Sequence, residues 1–202
     1  MTTHGRESGA GPDRGLLLVL SGPSGVGKTT ITRVVRERIA DAVFSISATT
    51  RPRTSGEAEG VDYFFLTEDE FKARIAADAF LEYASYAGHW YGTLRDQVER
   101  ALADGKLIML DIDVQGARQV REHMPEMLGV FIMPPSEDEL LERLRHRRRE
   151  DEAAIQKRFA QAKREIAEAQ EAGLYDALIV NDDLDRAVGE VLRLIKERRA
   201  EE

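Results

Sequence analysis

The sequence predicts an α/β fold: a parallel five-stranded core sheet with helices on both faces, interrupted by a small mixed α/β insertion. Three observations predict it. A glycine-rich run, Gly22-Pro23-Ser24-Gly25-Val26-Gly27-Lys28-Thr29, stands between an apolar stretch and a helical pattern. Further apolar runs of strand length alternate with helical patterns, as in sheets whose parallel neighbours are joined by crossover helices. The stretch from Ser47 to Arg95 breaks that alternation and holds most of the aromatic residues.

The elements follow in order. Residues 16–20 are continuously apolar, as expected of a strand covered on both faces. After the glycine run, Ile31, Val34, Val35 and Ile39 recur near helical spacing. Residues 43–47, 106–112, 128–133 and 177–181 supply the remaining core strands. Within the insertion, residues 61–66, 80–86 and 89–91 have strand character. Thr67-x-x-Glu70 is a capping box opening a short helix through Phe71 and Ile75. Residues 93–103 form a helix that Gly105 terminates. Ser136-x-x-Glu139 opens another through Arg143. Residues 151–171 place Ile155, Phe159, Ala162 and Ile166 on one helical face. Residues 184–197 turn Val188, Val191, Leu192 and Ile195 inward. The expected division is a flexible tail at 1–14, a core at 15–46 and 96–202, and the insertion at 47–95 over the C-terminal edge of the sheet, where open α/β folds bind ligands.

Composition narrows the function. The chain has 202 residues and a formal charge of −8, which argues against broad binding to nucleic acid or anionic membranes. It has no cysteine, so disulfides, thiol catalysis and cysteine–zinc sites are excluded and a reducing cytoplasm fits. No apolar run approaches the ~18 residues of a membrane span. His4, His89, His123 and His146 are scattered without metal-ligand spacing.

The glycine run fits G-x-x-x-x-G-K-[ST], a phosphate-binding loop. Strand, loop and helix together aim backbone N–H groups and a helix N-terminus at one anion. Lys28 can reach β- and γ-phosphates, and the Thr29 hydroxyl can hold Mg²⁺. Arg51 and Arg53, among hydroxyls and glycines, make a second anion site, since arginine forks match phosphate oxygens. Asp111 and Asp113 end an apolar strand; acids placed there beside a phosphate loop commonly hold Mg²⁺, and either satisfies that chemistry. Arg143, Arg145, Arg147, Arg148 and Arg149 form a basic cluster with His146.

Together with Thr49-Thr50-Arg51, Gly56-Glu57, Gly60, Asp62-Tyr63, Glu82, Tyr91-Gly92-Thr93, Leu110-Asp111-Ile112-Asp113-Val114-Gln115-Gly116, Pro134-Pro135-Ser136 and Val180-Asn181-Asp182-Asp183, the loop makes an ordered set covering Leu16 to the C-terminus. This set resembles guanylate kinase, a P-loop nucleoside monophosphate kinase. The resemblance implies ATP and GMP as substrates (dGMP also), Mg²⁺, and a place in purine nucleotide metabolism in the cytoplasm. It implies that Gly22 through Thr29 bind ATP and that Ser47, Arg51, Tyr63 and Tyr91 hold the GMP phosphate. Glu82, Thr93 and Asp111 would face the guanine or its neighbourhood. Asp113 would sit with Thr29 near the metal and the transferring phosphoryl group. A mobile lid at about 144–156 would bring Arg143, Arg147 and Arg158 onto the ATP phosphates.

Residue chemistry agrees with a guanine site. Guanine shows N1–H and an exocyclic amine beside the O6 acceptor. A carboxylate at Glu82 only accepts, and a hydroxyl at Thr93 can donate to O6. Adenine reverses that edge. Two departures from the family pattern stand out. A second phosphate arginine belongs at position 54, where Thr54 stands and Arg53 is its neighbour; either Arg53 reaches the same oxygens through a shifted loop or that contact is missing. A glycine is expected where Arg148 stands. A guanylate-kinase-like module that binds a phosphorylated partner without catalysis is the alternative, as is an enzyme for another nucleoside monophosphate. Monomer and homodimer both remain open.

Overall fold

The computed structural model describes residues 14–146, 151–170 and 173–201. Its main sheet contains β1 (Leu16–Ser21), β2 (Ala42–Phe44), β7 (Leu107–Asp111), β8 (Leu128–Met133) and β9 (Ala177–Val180), in the order β2-β7-β1-β8-β9. All its neighbours pair in parallel. β1 lies at the centre and is buried along its whole length. Its side chains alternate between faces. Leu16, Leu18 and Leu20 pack with Ile31 and Val35 of α1 (Lys28–Arg38) and with Val188, Val191 and Ile195 of α7 (Leu184–Ala200). Leu17 and Val19 face Val98 of α3 (Arg95–Ala103) and Val114, Ala117 and Val120 of α4 (Val114–His123). An unbroken apolar strand is therefore the expected sequence of a central strand between two helical layers.

A second sheet of four strands has the order β4-β3-β6-β5. Its members are β3 (Ala48–Thr49), β4 (Phe64–Phe65), β5 (Phe80–Tyr86) and β6 (His89–Leu94). With α2 (Glu68–Ala76) it surrounds its own aromatic centre, where the Phe71 and Phe80 rings stack at 4.4 Å and Trp90 follows at 6.0 Å from Phe71. The Thr67 capping box forms in full: the Thr67 hydroxyl accepts from Glu70 N at 3.2 Å, and the Glu70 carboxylate accepts from Thr67 N at 2.7 Å.

Three elements differ from the sequence expectation. The second core strand ends at Phe44, because the chain leaves it to begin β3 of the other sheet at Ala48. Only Phe64–Phe65 of the 61–66 run joins the sheet, since Gly60, at φ 69°, and a bridge between Glu59 and Tyr63 fold the preceding residues into a turn. Thr93 and Leu94 extend β6 instead of opening α3, because they pair with Glu82 and Phe80 across the hairpin and are buried there. α4 itself was not expected. Of the expected tail, residues 1–13 lie outside the described residues. No helix among those described is long and apolar enough to cross a membrane.

Asp176, just before β9, ties three elements together. It accepts from Arg121 of α4 at 2.7 Å, from Gly129 N of β8 at 2.7 Å and from Arg198 of α7 at 2.8 Å. Burial pushes its carboxyl up, but these donors outweigh burial and hold it below the ordinary aspartate range. A depressed folded pKa stabilises above the unfolded pKa, and that stabilisation disappears as pH falls through the folded one. Asp176→Asn should therefore cost ~1–3 kcal/mol in urea unfolding at neutral pH. The gap to wild type should narrow in acid, as pH falls through the depressed folded value. A gap of equal size in acid would show that the carboxylate charge is not what stabilises.

Candidate active site

The phosphate loop joins β1 to α1, and its glycines are sterically required. Gly27 is the α1 N-cap at φ 104°, without a side-chain cap. A Cβ there would lie 2.5 Å from Asn181 Nδ2. A Cβ on Gly22, at φ 147°, would lie 2.5 Å from the Ile132 carbonyl. The N-terminal N–H groups of α1 are thus free of a side-chain competitor, the arrangement that receives an anion. Asn181, buried at the end of β9, donates to the Val26 carbonyl at 2.7 Å and pins the loop from outside. Lys28 Nζ donates to the Gly22 carbonyl at 2.5 Å and to the Pro23 carbonyl at 3.4 Å, holding the ammonium over the cradle. The hollow at this loop is lined by Pro23, Ser24, Gly25, Gly27, Lys28, Thr29, Thr30 and Asp111.

Two further cations reach the same loop. Arg143 of α5 (Glu137–His146) donates to the Asn181 carbonyl at 3.1 Å, to Glu139 at 2.8 Å and to the Val26 carbonyl at 3.5 Å. Glu139 is thereby engaged by Arg143, so only half of the expected Ser136 capping box forms, Ser136 Oγ accepting from Glu139 N at 3.1 Å. Arg158 of α6 (Glu152–Ala169) donates to Ser24 Oγ. Arg145 pairs with Glu152 at 2.8 Å on the surface. Arg147, Arg148 and Arg149 lie outside the described residues.

The second sheet brings together Ser47, Arg51, Tyr63 and Tyr91. Ser47 accepts at its carbonyl from Phe64 N at 2.9 Å, next to Tyr63. The Arg51 guanidinium lies 5.3 Å from the Tyr63 ring centroid, and the Tyr63 and Tyr91 rings meet edge-on at 6.1 Å. Arg51 is paired end-on with Glu57. Arg53 is exposed and has no hydrogen bond or ion pair among the described residues.

Glu82 and Thr93 face each other across the β5–β6 hairpin. Both are buried, at 8% and 1% exposure, and Thr93 Oγ1 donates to Glu82 Oε1 at 2.6 Å. Desolvation pushes the Glu82 carboxyl up; the Thr93 hydrogen bond opposes this and the nearby Asp113 charge adds to it. Gly116 of α4 packs so closely that a Cβ would come 3.2 Å from Glu82 Oε2. Asp113 caps α4, accepting from Gly116 N at 2.8 Å. Asp111, by contrast, lines the phosphate-loop hollow. Its carboxyl is pushed up by desolvation and pulled back by Lys28. The two acids therefore separate: Asp111 toward the loop, Asp113 toward Glu82.

Asn181, Glu57 and Thr54 carry site contacts for which the sequence assigned no role. Asn181 stood within a quoted motif, and a polar residue ending a core strand beside a phosphate loop was the available signal.

Mg²⁺ keeps several waters and commonly takes only one or two protein oxygens besides nucleotide phosphates. The hollow fits that demand: Thr29 and Asp111 offer hard oxygen donors beside Lys28. No cluster of three or more His, Asp or Glu side chains suited to a metal occurs among the described residues.

A family model described as guanylate kinase matches residues 14–198. The guanylate kinase of Thermosynechococcus vestitus is 50% identical over 179 residues, covering 89% of this chain and 92% of that protein. That of a Thermus thermophilus strain is 47% identical over 186 residues, covering 92% and 83%. The crystal structure of guanylate kinase from Anaplasma phagocytophilum superposes with a TM-score of 0.69 at 32% identity, over 94% of this chain and 88% of that one.

Proposed function

This chain belongs to the guanylate kinase family and has its activity, ATP:GMP phosphoryl transfer; we propose that its residues divide that work as follows. Gly22 through Thr29 hold the ATP phosphates. Ser47, Arg51, Tyr63 and Tyr91 hold the phosphate of GMP, or of dGMP. Glu82 and Thr93 read the guanine edge, with Asp113 behind them. The lining of the loop hollow supports Asp111, with Thr29, as the metal-side acid. The family resemblance implied the opposite assignment of the two aspartates, but the cap on α4 and the proximity to Glu82 favour this one. Arg53, exposed and with no partner among the described residues, is not prearranged at the phosphate site as Arg51 is. The second sheet acts as the GMP-binding unit, and the segment at about 144–156 as the lid. The protein works in the cytoplasm on small molecules, without nucleic acid or membrane.

The reaction is a direct in-line displacement. A GMP phosphate oxygen forms a bond to the γ-phosphorus as the bond to the β–γ bridging oxygen breaks, and the electron pair leaves on ADP. Charge spreads over the phosphoryl oxygens, and fixed cations stabilise it. Lys28, Arg143 and Arg158 are those cations, joined by Arg147. Thr29 and Asp111 would hold the Mg²⁺ that accompanies ATP, which would supply further positive charge against the phosphate oxygens. Enclosure by α5 and α6 excludes water as a competing acceptor.

The observation that carries this reading is the convergence of Lys28, Arg143 and Arg158, from three helices, on one glycine loop. A module that only binds a phosphorylated partner has no need of that convergence. ADP release measured with GMP, dGMP, AMP, CMP and UMP tests the reading. GMP should exceed AMP in kcat/KM by about a hundredfold or more. Binding without turnover of any acceptor would favour the non-catalytic module, and AMP outperforming GMP would overturn the base assignment.

A further inference from the structure

We propose that Glu57 and Thr54 are positioning residues for the acceptor: they hold the Arg51 guanidinium by its end, so that its side edge stands ready beside Tyr91 for the GMP phosphate. This rests on the reading above that Arg51 receives that phosphate.

A guanidinium is planar and offers its N–H donors along edges. Glu57 occupies the end edge of Arg51, with Nη1 to Oε2 at 3.1 Å and Nη2 to Oε1 at 2.5 Å. The other Nη1 proton goes to the Pro52 carbonyl at 2.9 Å. What remains is the Nε–H with the second Nη2 proton, on one side, and together these form a complete two-donor fork. After Glu57, the Tyr91 phenol also interacts with the Arg51 guanidinium and favours its charged form. The flat face is fixed as well, with ring centroids of Tyr63 and Phe65 at 5.3 and 5.9 Å.

Glu57 is itself anchored. Its Oε2 accepts from Thr54 N and from Thr54 Oγ1, each at 2.7 Å, and Glu57 N donates to the Thr54 carbonyl at 3.2 Å. Gly56, at φ 97°, makes the turn that closes this ring. Arg51, followed by the Thr54 donors, holds the Glu57 carboxyl down at about 2, so the clamp stays ionised at any working pH. A phosphate on the end edge would have to expel Glu57 and strand both Thr54 donors; the side edge asks for neither. Thr54 thus serves the arginine, not the ligand, and this loop meets the phosphate with one prearranged arginine. Ordering a long side chain before the ligand arrives removes that cost from binding.

The test is calorimetry of Glu57→Gln, Thr54→Val and Arg51→Ala with GMP, with guanosine, which lacks the phosphate, and with ATP. Steady-state kinetics accompany it. Glu57→Gln should weaken GMP about tenfold or more and raise the GMP KM to match, with kcat changed less. Guanosine and ATP should bind as in wild type, and Thr54→Val should shift GMP in the same direction by less. Unchanged or tighter GMP binding in Glu57→Gln would mean that the carboxylate competes with the phosphate, which overturns the proposal. Equal weakening of GMP and guanosine would overturn it too, as a general loss of structure. Arg51→Ala separates the premise: undiminished GMP binding in that variant refutes Arg51 as the phosphate ligand. Its loss beside a silent Glu57→Gln refutes the positioning alone.

Discussion

Lys28→Ala should lower kcat by about a thousandfold or more, in line with or beyond the loss of one preorganised charge-stabilising group at a transition state. The fold should survive the change. Lys28 lies at the start of α1 with its ammonium on the Gly22 and Pro23 carbonyls, but the loop has other supports. Asn181 holds the Val26 carbonyl, Arg143 reaches the same oxygen, and Arg158 holds Ser24. The glycine conformations at Gly22, Gly25 and Gly27 are intrinsic to those residues. Thermal unfolding and GMP affinity should therefore stay near wild type while turnover collapses. The loss should fall on kcat more than on the ATP KM, because the ammonium matters most when charge develops on the transferring group. A variant that keeps near-wild-type kcat would show that the phosphoryl group is stabilised without this lysine.

What could be read from the sequence was local in cause. The phosphate loop needs its glycines, lysine and hydroxyl in one short run, so the chemistry is written contiguously. β1 was legible because burial on both faces demands an unbroken apolar run, and Thr67 with Glu70 because a capping box closes within one turn. The parts that escaped depend on partners distant in the chain or on weak local signals. α4 begins at the Asp113 cap with Gly116 in its first turn, and its buried side, Val114, Ala117 and Val120, is short and interrupted by polar residues. Asp111 and Asp113 look equivalent as two acids ending one strand. They part only because the chain leaves the sheet between them, sending one into the loop hollow and the other to a helix cap. Asn181 matters through Val26, far away in sequence. The Arg51–Glu57 pair spans only a turn, yet its geometry depends on a positive φ at Gly56 that composition alone does not announce.

Glu82→Gln should weaken GMP by about a hundredfold, leave ATP binding unchanged, and make the ligand-free protein more stable. All three effects come from one buried carboxylate. Without ligand, Glu82 is desolvated, has Thr93 as its hydrogen-bond donor, and feels Asp113; its carboxyl is pushed up accordingly. A carboxyl whose folded pKa is raised contributes stability below its unfolded pKa and loses it as pH rises through the folded value. At neutral pH the ionised group therefore works against the fold. The amide of Gln keeps an oxygen for the Thr93 hydroxyl and turns a donor toward the Asp113 side, removing that opposition. With GMP the balance reverses. The base offers N1–H and an amine, both donors, and an amide nitrogen would meet them donor to donor, leaving buried polar groups unpaired. The same logic gives wild-type GMP affinity a pH dependence: it falls as acid protonates Glu82 at a pH above the ordinary glutamate range, and the Gln variant lacks that step. Differential scanning calorimetry without ligand and titrations of each nucleotide across pH measure all of this. Equal losses for GMP and ATP, or a ligand-free variant less stable than wild type, would mean that Glu82 supports the fold and does not read the base.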